Sequence, residues 1–161
     1  MKHLILTLLS VVLLSSCASD KDETKDYTAQ NEQEIVDYLA ANNLTAERNN
    51  SGLYFIIEEQ GEGEKFPEAT SNVTVVYRGY YTNGNTFDES DPDAETEEEK
   101  KGASFGLNQV ILGWKEGIPK FKPGGKGKLF IPAHLGYGSH NYNGIPGGSV
   151  LIFDITLKSI N

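Results

Sequence analysis

The spacing of apolar side chains changes near residue 50 from a helical period to an alternating one. Before that point apolar residues recur at positions i, i+3 and i+4, as Ile35, Tyr38 and Leu39. Asn31 precedes them where its side chain can cap a helix, and Glu34 occupies the reciprocal capping-box position. The pattern predicts a helix of about three turns, within a short N-terminal helical segment at residues 31–48.

After residue 50, apolar and polar side chains alternate in short stretches at 53–57, 73–77, 129–131 and 150–160. The pair Asn83 and Gly84 predicts a tight turn that closes a hairpin. A covering helix is expected over about residues 111–121, where two glycines and a proline keep it short. These elements predict an antiparallel sheet with one covering helix.

Residues 1–16 have the features of a secretory signal. Lys2 supplies a charged start, and residues 4–14 form an apolar run that is too short to span a membrane. Leu14, Ser15, Ser16 and Cys17 then resemble a bacterial lipobox, in which the cysteine thiol is acylated and becomes the new N-terminus. We therefore expect lipidation at Cys17. The alternative is an ordinary signal peptide, cleaved near residue 16 or 18, with an incidental thiol.

Residues 17–30 are polar and acidic without apolar periodicity, which predicts a flexible tether. Acyl chains on Cys17 stabilise membrane attachment by roughly 0.8 kcal/mol per buried methylene group, without a spanning helix. Ala18 follows the cysteine, as in lipoproteins that are passed to the outer membrane. We expect the protein to lie in the bacterial cell envelope, anchored by lipid to the outer membrane. The sequence does not distinguish the periplasmic face of that membrane from the surface face. Cys17 is the only cysteine, which excludes an intrachain disulfide.

The chain is acidic, with 23 acidic and 14 basic residues and a net charge of −9. This balance argues against a nucleic-acid partner. Residues 89–101 carry much of the negative charge and predict a solvated loop. They lack the spacing of a calcium loop, so no metal site is expected. The remaining length suits one domain with a single core, and a monomer is expected because the N-terminal helix is too short for a dimerisation arm.

Several classes of chemistry find no support in the sequence. His134 and His140 lie in neither a metal-ligand nor a nucleophile-base pattern, and we expect both at the surface or rim. No Gly-x-Ser-x-Gly motif places a serine for attack. The glycine-rich residues 122–128 lack the spacing of a phosphate-binding loop and predict a turn between the helix and the next strand. A hydrolase is therefore disfavoured, and no cofactor is expected.

The last third of the chain concentrates aromatic and aliphatic side chains without a nucleophile, which favours a dry binding cup for proline. Five stretches there and upstream resemble, in order and spacing, the FKBP-type peptidyl-prolyl isomerases, the macrolide-binding immunophilins. They are 75–79, 84–88, 110–114, 135–138 and 151–154. The resemblance implies an α+β fold over residues 49–161, in which a twisted antiparallel sheet of about five strands wraps around one short α-helix.

The resemblance also implies the site residues. By their positions in the motifs these are Tyr77, Phe87, Asp88, Val110, Ile111, Trp114, Tyr137, Ile145 and Phe153. Trp114 would form the floor, and Tyr77, Phe87 and Phe153 the walls. The backbone N–H of Ile111 and the Tyr137 hydroxyl would bind substrate carbonyls. Ile145 would close one rim, and Asp88 would order polar groups at the edge.

Three departures from the family pattern affect the expected pocket. Ala103 stands where many relatives carry a large apolar wall residue, which predicts a wider pocket at that point. No arginine lies between Asp88 and Phe105 to pair with the aspartate, so its polar partner is open. Gly147 and Gly148 replace a proline and a polar residue, which predicts a more mobile rim loop. The resemblance also implies a macrolide as a possible ligand. Of the properties that it implies, macrolide affinity is the one that these departures affect most.

The leading interpretation is an envelope enzyme that accelerates X-Pro bond rotation in exported, proline-containing polypeptides. The alternative is a non-catalytic module or chaperone of the envelope that recognises proline but has lost rate enhancement. A third interpretation, a structural lipoprotein whose acidic loop docks a basic partner, rests on charge alone and predicts strong salt sensitivity.

Overall fold

The computed structural model of the protein describes residues 25–91, 93–96 and 99–161. Two α-helices and seven β-strands lie within these ranges. They are, in order, α1 (Thr28–Ala41), β1 (Glu47–Arg48), β2 (Tyr54–Glu59), β3 (Asn72–Tyr80), β4 (Thr86–Glu89), β5 (Ala103–Gly106), α2 (Leu112–Gly117), β6 (Lys126–Ile131) and β7 (Leu151–Ile160). The predicted signal segment, Cys17 and most of the predicted tether fall outside the described residues.

The strands form one antiparallel sheet in the order β1-β2-β6-β7-β3-β4. β5 also pairs with β3, so β4 and β5 share one edge of that strand, at residues 78–80 and 72–75 respectively. This arrangement confirms the predicted α+β fold, a sheet around one short helix with a further helix before it. The sheet has seven strands and not the expected five or so. The two-residue β1 is too short to show an alternating pattern, whereas β4 follows the predicted turn at Asn83 and Gly84.

β7 lies in the middle of the sheet, between β6 and β3. Its residues Leu151, Phe153, Ile155 and Leu157 are buried in the main core, as the alternation predicts. Ile152 is also buried, but in a second cluster on the opposite face. Both faces of the sheet are therefore covered near the start of β7.

α2 packs on the main-core face of the sheet. It is shorter than the predicted helix at 111–121, because the α-helical part ends at Gly117 and continues as a single 3₁₀ turn, Ile118–Lys120. A Cβ atom on Gly113 would lie 2.6 Å from Ile131, and one on Gly117 would lie 2.5 Å from Leu129. The two glycines that weaken the helix by propensity therefore let it approach the sheet closely.

α1 begins earlier than the sequence predicts. It starts at Thr28, whose backbone N–H donates to the Asp26 carboxylate at 2.8 Å, so the tether predicted to reach residue 30 is wrong for residues 28–30. The capping box is also wrong. Asn31 is inside the helix and fully buried, and the Glu34 carboxylate accepts a hydrogen bond from the Thr82 hydroxyl. α1 ends at Ala41, within the helical segment predicted at residues 31–48.

α1 packs on the outer face of the sheet, opposite α2. The apolar cluster between α1 and the sheet consists of Ile35, Leu39, Tyr54, Tyr80, Phe130, Val150 and Ile152. At one end Glu32 accepts hydrogen bonds from Arg48 and from the Tyr54 hydroxyl, which tie the helix to β1 and β2. Among the described residues, no helix combines the length and apolarity needed to cross a membrane.

The acidic segment between β4 and β5 is held at its base by Asp91. The Asp91 carboxylate accepts hydrogen bonds from the backbone N–H groups of Lys101 and Gly102, at 2.8 and 3.0 Å, and from the Ser90 hydroxyl. These bonds, that of Ser90 first, lower the pKa of Asp91 below its ordinary value. The described part of the segment is mostly exposed, as predicted for a solvated loop.

Candidate active site

The site is built around Trp114, the tryptophan of α2. Its side chain is buried, and the rings of Tyr77, Phe105 and Phe153 surround it at centroid distances of 5.2, 5.4 and 5.3 Å. All three meet the indole nearly at right angles, which is the favoured edge-to-face geometry of aromatic pairs. Strands β3, β5 and β7 each contribute one of the three rings, so the sheet holds them in place.

Gly79 makes room for the second row of aromatic side chains. It pairs with Phe153 across β3 and β7, and a Cβ atom there would lie 2.7 Å from Phe87 and 2.8 Å from Phe153. With no side chain in the way, Phe87 packs edge-to-face on Phe153 at 5.5 Å. Glycine is required at this position because of the close approach of the two rings.

A cavity of about 360 Å³ opens above Trp114. It is lined by Tyr77, Asp88, Phe105, Gln109, Val110, Ile111, Trp114, Tyr137, Tyr142, Asn143 and Phe153. An adjoining depression of about 510 Å³ is lined by Tyr81, Thr86, Phe87, Asp88, Tyr137, Tyr142, Asn143, Gly144 and Ile145. The first cavity is of a size that accepts a small ring, and eight of its eleven lining residues are aromatic or aliphatic, beside Asp88, Gln109 and Asn143.

The polar groups that line the cavity include the Asp88 carboxylate and the phenols of Tyr77 and Tyr137. The Tyr77 hydroxyl donates to the Asp88 carboxylate at 2.8 Å, which supplies the partner that no arginine provides. Burial, followed by the hydrogen bond to Asp88, raises the pKa of Tyr77 far above its ordinary value. Burial, followed by the nearby charge of Asp88, also raises the pKa of Tyr137. Both phenols are therefore neutral donors at physiological pH.

Tyr137 stands at the boundary of the two cavities and is 37% exposed. Its ring stacks on that of Tyr142, with centroids 5.0 Å apart and an interplanar angle of 12°. Its hydroxyl makes no hydrogen bond to any other part of the chain that the structure describes. The hydroxyl is thus available to a ligand in either cavity.

Trp114 and Ile111 lie on either side of the start of α2. The buried indole N–H has no acceptor among the described residues, so ring packing holds the indole in place. Ile111 directly precedes the helix, where backbone N–H groups have no intrahelical acceptor. Ile111 lines the cavity, but the role of its N–H toward a substrate carbonyl stays a prediction.

The loop at residues 138–148, here called the rim loop, closes one side of both cavities. Tyr142 and Ile145 exchange two backbone hydrogen bonds, of 2.9 and 2.8 Å, across the turn residues Asn143 and Gly144. Both turn residues have positive φ, 45° and 85°, as a type I′ turn requires. Ile145 reaches back into the main core, while Tyr142 is half exposed.

The structure brings together all nine side chains predicted for the site. Seven of them line the first cavity, and Phe87 and Ile145 line the adjoining one. Neither histidine lines either cavity. Sequence reasoning missed the lining residues Tyr81, Phe105, Gln109, Tyr142 and Asn143. Phe105 supplies the wall of β5 and Ala103 does not line the cavity, so the wider pocket expected at Ala103 stays a prediction.

The family model for the FKBP-type peptidyl-prolyl cis-trans isomerases matches residues 63–158. The chain belongs to this family. The resemblance of the five sequence motifs is thereby confirmed, and Trp114 and the rings around it lie within the matched residues.

Relatives of two kinds support the assignment to the FKBP family. The FKBP-type isomerase FkpA of Aeromonas hydrophila is 39% identical over 149 residues, which cover 91% of this chain and 51% of that protein. FK506-binding protein 1 of Debaryomyces hansenii is 38% identical over 110 residues, which cover 65% of this chain and 91% of that protein. The chain spans about half the length of the FkpA proteins that it matches.

The fold of the FKBP-family chain also matches solved structures. The crystal structure of FkpA from Escherichia coli superposes with a TM-score of 0.70 and 34% identity, and covers 83% of this chain and 61% of that one. A peptidyl-prolyl isomerase from Pseudomonas syringae superposes with a TM-score of 0.66 and 25% identity, over 86% of this chain and 98% of that one.

Proposed function

We propose that the protein is a peptidyl-prolyl cis-trans isomerase that binds the proline ring above Trp114. The observation that carries the proposal is the enclosure of this indole by three perpendicular rings beneath a cavity lined mainly by aromatic and aliphatic residues. The geometry offers a site for a ring, and no serine, cysteine, histidine or lysine of the described residues lines the cavity. Rotation about an X-Pro bond needs none, since the barrier of roughly 18–20 kcal/mol comes from loss of amide resonance.

The pocket would favour the twisted amide over the planar one. A planar amide is the more polar of the two, so its transfer from water into a ring of aromatic side chains is unfavourable relative to the twisted form. The Tyr137 hydroxyl is positioned to donate to a substrate carbonyl and hold the rotated conformer. The hydrogen bond from Tyr77 fixes the Asp88 carboxylate at the edge. Catalysis in this proposal is thus desolvation and orientation, without a covalent intermediate or cofactor.

The first test compares Trp114→Ala with Asp88→Asn in a protease-free assay of cis-to-trans relaxation on X-Pro peptides. We expect Trp114→Ala to lower kcat/KM by more than tenfold, equivalent to roughly 1.4 kcal/mol or more. Asp88→Asn should lower it less, because the amide can still accept the Tyr77 hydrogen bond. Phe66→Ala is the matched control, since this exposed ring lines neither cavity.

Absence of acceleration by the parent protein with several X residues would contradict the enzyme proposal. It would favour the second candidate, a proline-recognising module or chaperone without rate enhancement. Equal losses in the two site variants would argue against a mechanism that depends mainly on the apolar pocket. A macrolide should compete with the peptide for the same cavity, and competition abolished by Trp114→Ala would place both ligands there.

We further infer that the protein acts in the bacterial envelope on exported polypeptides, anchored by lipid on Cys17 as a monomer. The lipobox and the apolar run before it support this location. Labelling of cells with a radioactive fatty acid should mark the parent and not Cys17→Ser, and the variant should leave the membrane fraction. A Cys17→Ser protein that keeps its membrane association, or an unlabelled parent, would overturn the anchor. Sedimentation in detergent tests the monomer.

A further inference from the structure

Asn31 lies in the first turn of α1, and its polar side chain is completely buried. Its Oδ1 accepts a hydrogen bond from the Ala133 backbone N–H at 2.8 Å, and its Nδ2 donates to the Gly148 carbonyl at 2.9 Å. The two partners lie before and at the end of the rim loop. One side chain of α1 therefore bridges the two chain segments that lead into and out of this loop.

Tyr27, directly before α1, contacts the same end of the rim loop. Gly148 has a positive φ of 79°, and a Cβ atom on it would lie 2.3 Å from the Tyr27 ring. The ring thus lies against the bare Cα of Gly148, in a space that only glycine leaves open. Gly148 in turn donates its N–H to the Gly138 carbonyl at 2.9 Å, which closes the loop on itself.

The loop held in this way carries side chains of the candidate active site. Tyr142 and Ile145 form the two sides of its small turn, and Tyr142 stacks on Tyr137 at the boundary of the cavities. Four glycines in residues 138–148 give the loop backbone more freedom than other residues would. External bonds at its base are therefore needed to define where Tyr142 and Ile145 stand.

We propose that α1 acts as a clamp on the rim loop, with Asn31 as a positioning residue for peptide binding. Asn31 and Tyr27 fix the base of the loop, and the loop then presents Tyr142 and Ile145 to the substrate. Gly148 leaves the space that the Tyr27 ring occupies, whereas Gly147 lies close to the Ser139 backbone within the loop itself. The effect on catalysis rests on the proposed isomerase function, but the effect on the loop does not.

The test uses Asn31→Ala and Tyr27→Ala, with Gln33→Ala as the matched control. Gln33 lies on the exposed face of α1, and its side chain donates to Asp37. Tyr27→Ala keeps both Asn31 hydrogen bonds and the helix, so it remains informative if Asn31→Ala unfolds. Amide hydrogen exchange of Tyr142 and Ile145 is measured in each protein, together with kcat and KM on an X-Pro peptide.

We expect at least tenfold faster exchange of these two amides in the Asn31 variant and a smaller increase in the Tyr27 variant. Exchange in the core strand β7 should not change in either. KM should rise three- to tenfold with kcat within twofold, because the loop contacts the substrate in both its planar and twisted forms. General destabilisation would instead accelerate exchange in β7 as well and leave KM unchanged.

Exchange at Tyr142 and Ile145 that matches the Gln33→Ala control in both variants would overturn the clamp. Faster loop exchange without a change in KM would overturn the role of the loop in peptide binding. If the parent protein shows no isomerase activity, the proposed function fails, while the exchange data still decide whether α1 holds the loop.

Discussion

At the scale of single residues, ring packing positions the central side chain of the site. The indole of Trp114 is held by rings alone, and its N–H is left without an acceptor among the described residues. An unpaired buried donor costs about 1–3 kcal/mol. The packing of the three rings around Trp114 must offset this cost.

The neutral phenols predict a flat pH profile. Burial, with a further contribution from Asp88, raises the pKa of Tyr77 and of Tyr137 above the ordinary value of 10.0. Both groups therefore keep their protons where a solvated tyrosine would be half ionised. We expect kcat/KM to stay constant from neutral pH to about pH 10, measured where circular dichroism shows an intact fold. A decline below pH 10 that Tyr137→Phe removes would contradict this.

At the scale of elements, α2 depends on contact with the sheet more than on helix propensity. Its glycines lie against β6, and the six-residue helix has too few turns to be stable alone. Because Trp114 is on the same helix, this close approach also fixes the distance of its indole from the sheet. A change in the spacing between helix and sheet therefore acts on both stability and the site.

Gly117→Ala separates propensity from packing. Alanine is better than glycine in a helix by about 1 kcal/mol, but the added Cβ atom would lie 2.5 Å from Leu129. Overpacking costs typically about 1–3 kcal/mol, so we expect a net destabilisation of about 1 kcal/mol, read from urea unfolding midpoints. Lys115→Ala, on the same helix without such a contact, is the control. A stabilised Gly117→Ala protein would show that the helix can shift freely.

Sequence reasoning recovered local patterns and missed distant pairings. The alternation in β7 and the site residues carried by the motifs were predictable, because each depends on neighbours in the chain or on a recurring motif. The role of Asn31 was not, since its partners are 102 and 117 residues away, and a local capping rule fitted the same side chain. Tyr142 was missed because only the turn at 143 and 144 brings it onto Tyr137.

At the scale of the whole molecule, the sheet is enclosed by a helix on each face, and Glu32 joins one of them to the sheet edge. Hydrogen bonding from Tyr54, followed by that from Arg48, lowers the pKa of Glu32 below its ordinary value of 4.5. A lowered pKa in the folded state means that the unfolded chain binds the proton more tightly. The contribution of Glu32 to stability is therefore complete above pH 4.5 and is lost as the pH falls through the folded-state pKa.

This linkage predicts a pH-dependent difference between the parent and Glu32→Gln. The parent should be more stable at neutral pH, and the difference in unfolding midpoint should shrink as the pH falls below 4.5. Urea unfolding over this range measures both proteins. Glu34→Gln serves as the control on the same helix. A difference that stays constant with pH would show that the carboxylate charge is not what stabilises the contact.

The position of β7 has a consequence for the order of events during folding. It is the last of the described strands, yet it pairs on both sides, with β6 and with β3, in the middle of the sheet. Until its residues are available for pairing, the earlier strands form two separate groups that cannot join. We expect the sheet to remain open until β7 has joined it, and then to close in a single step.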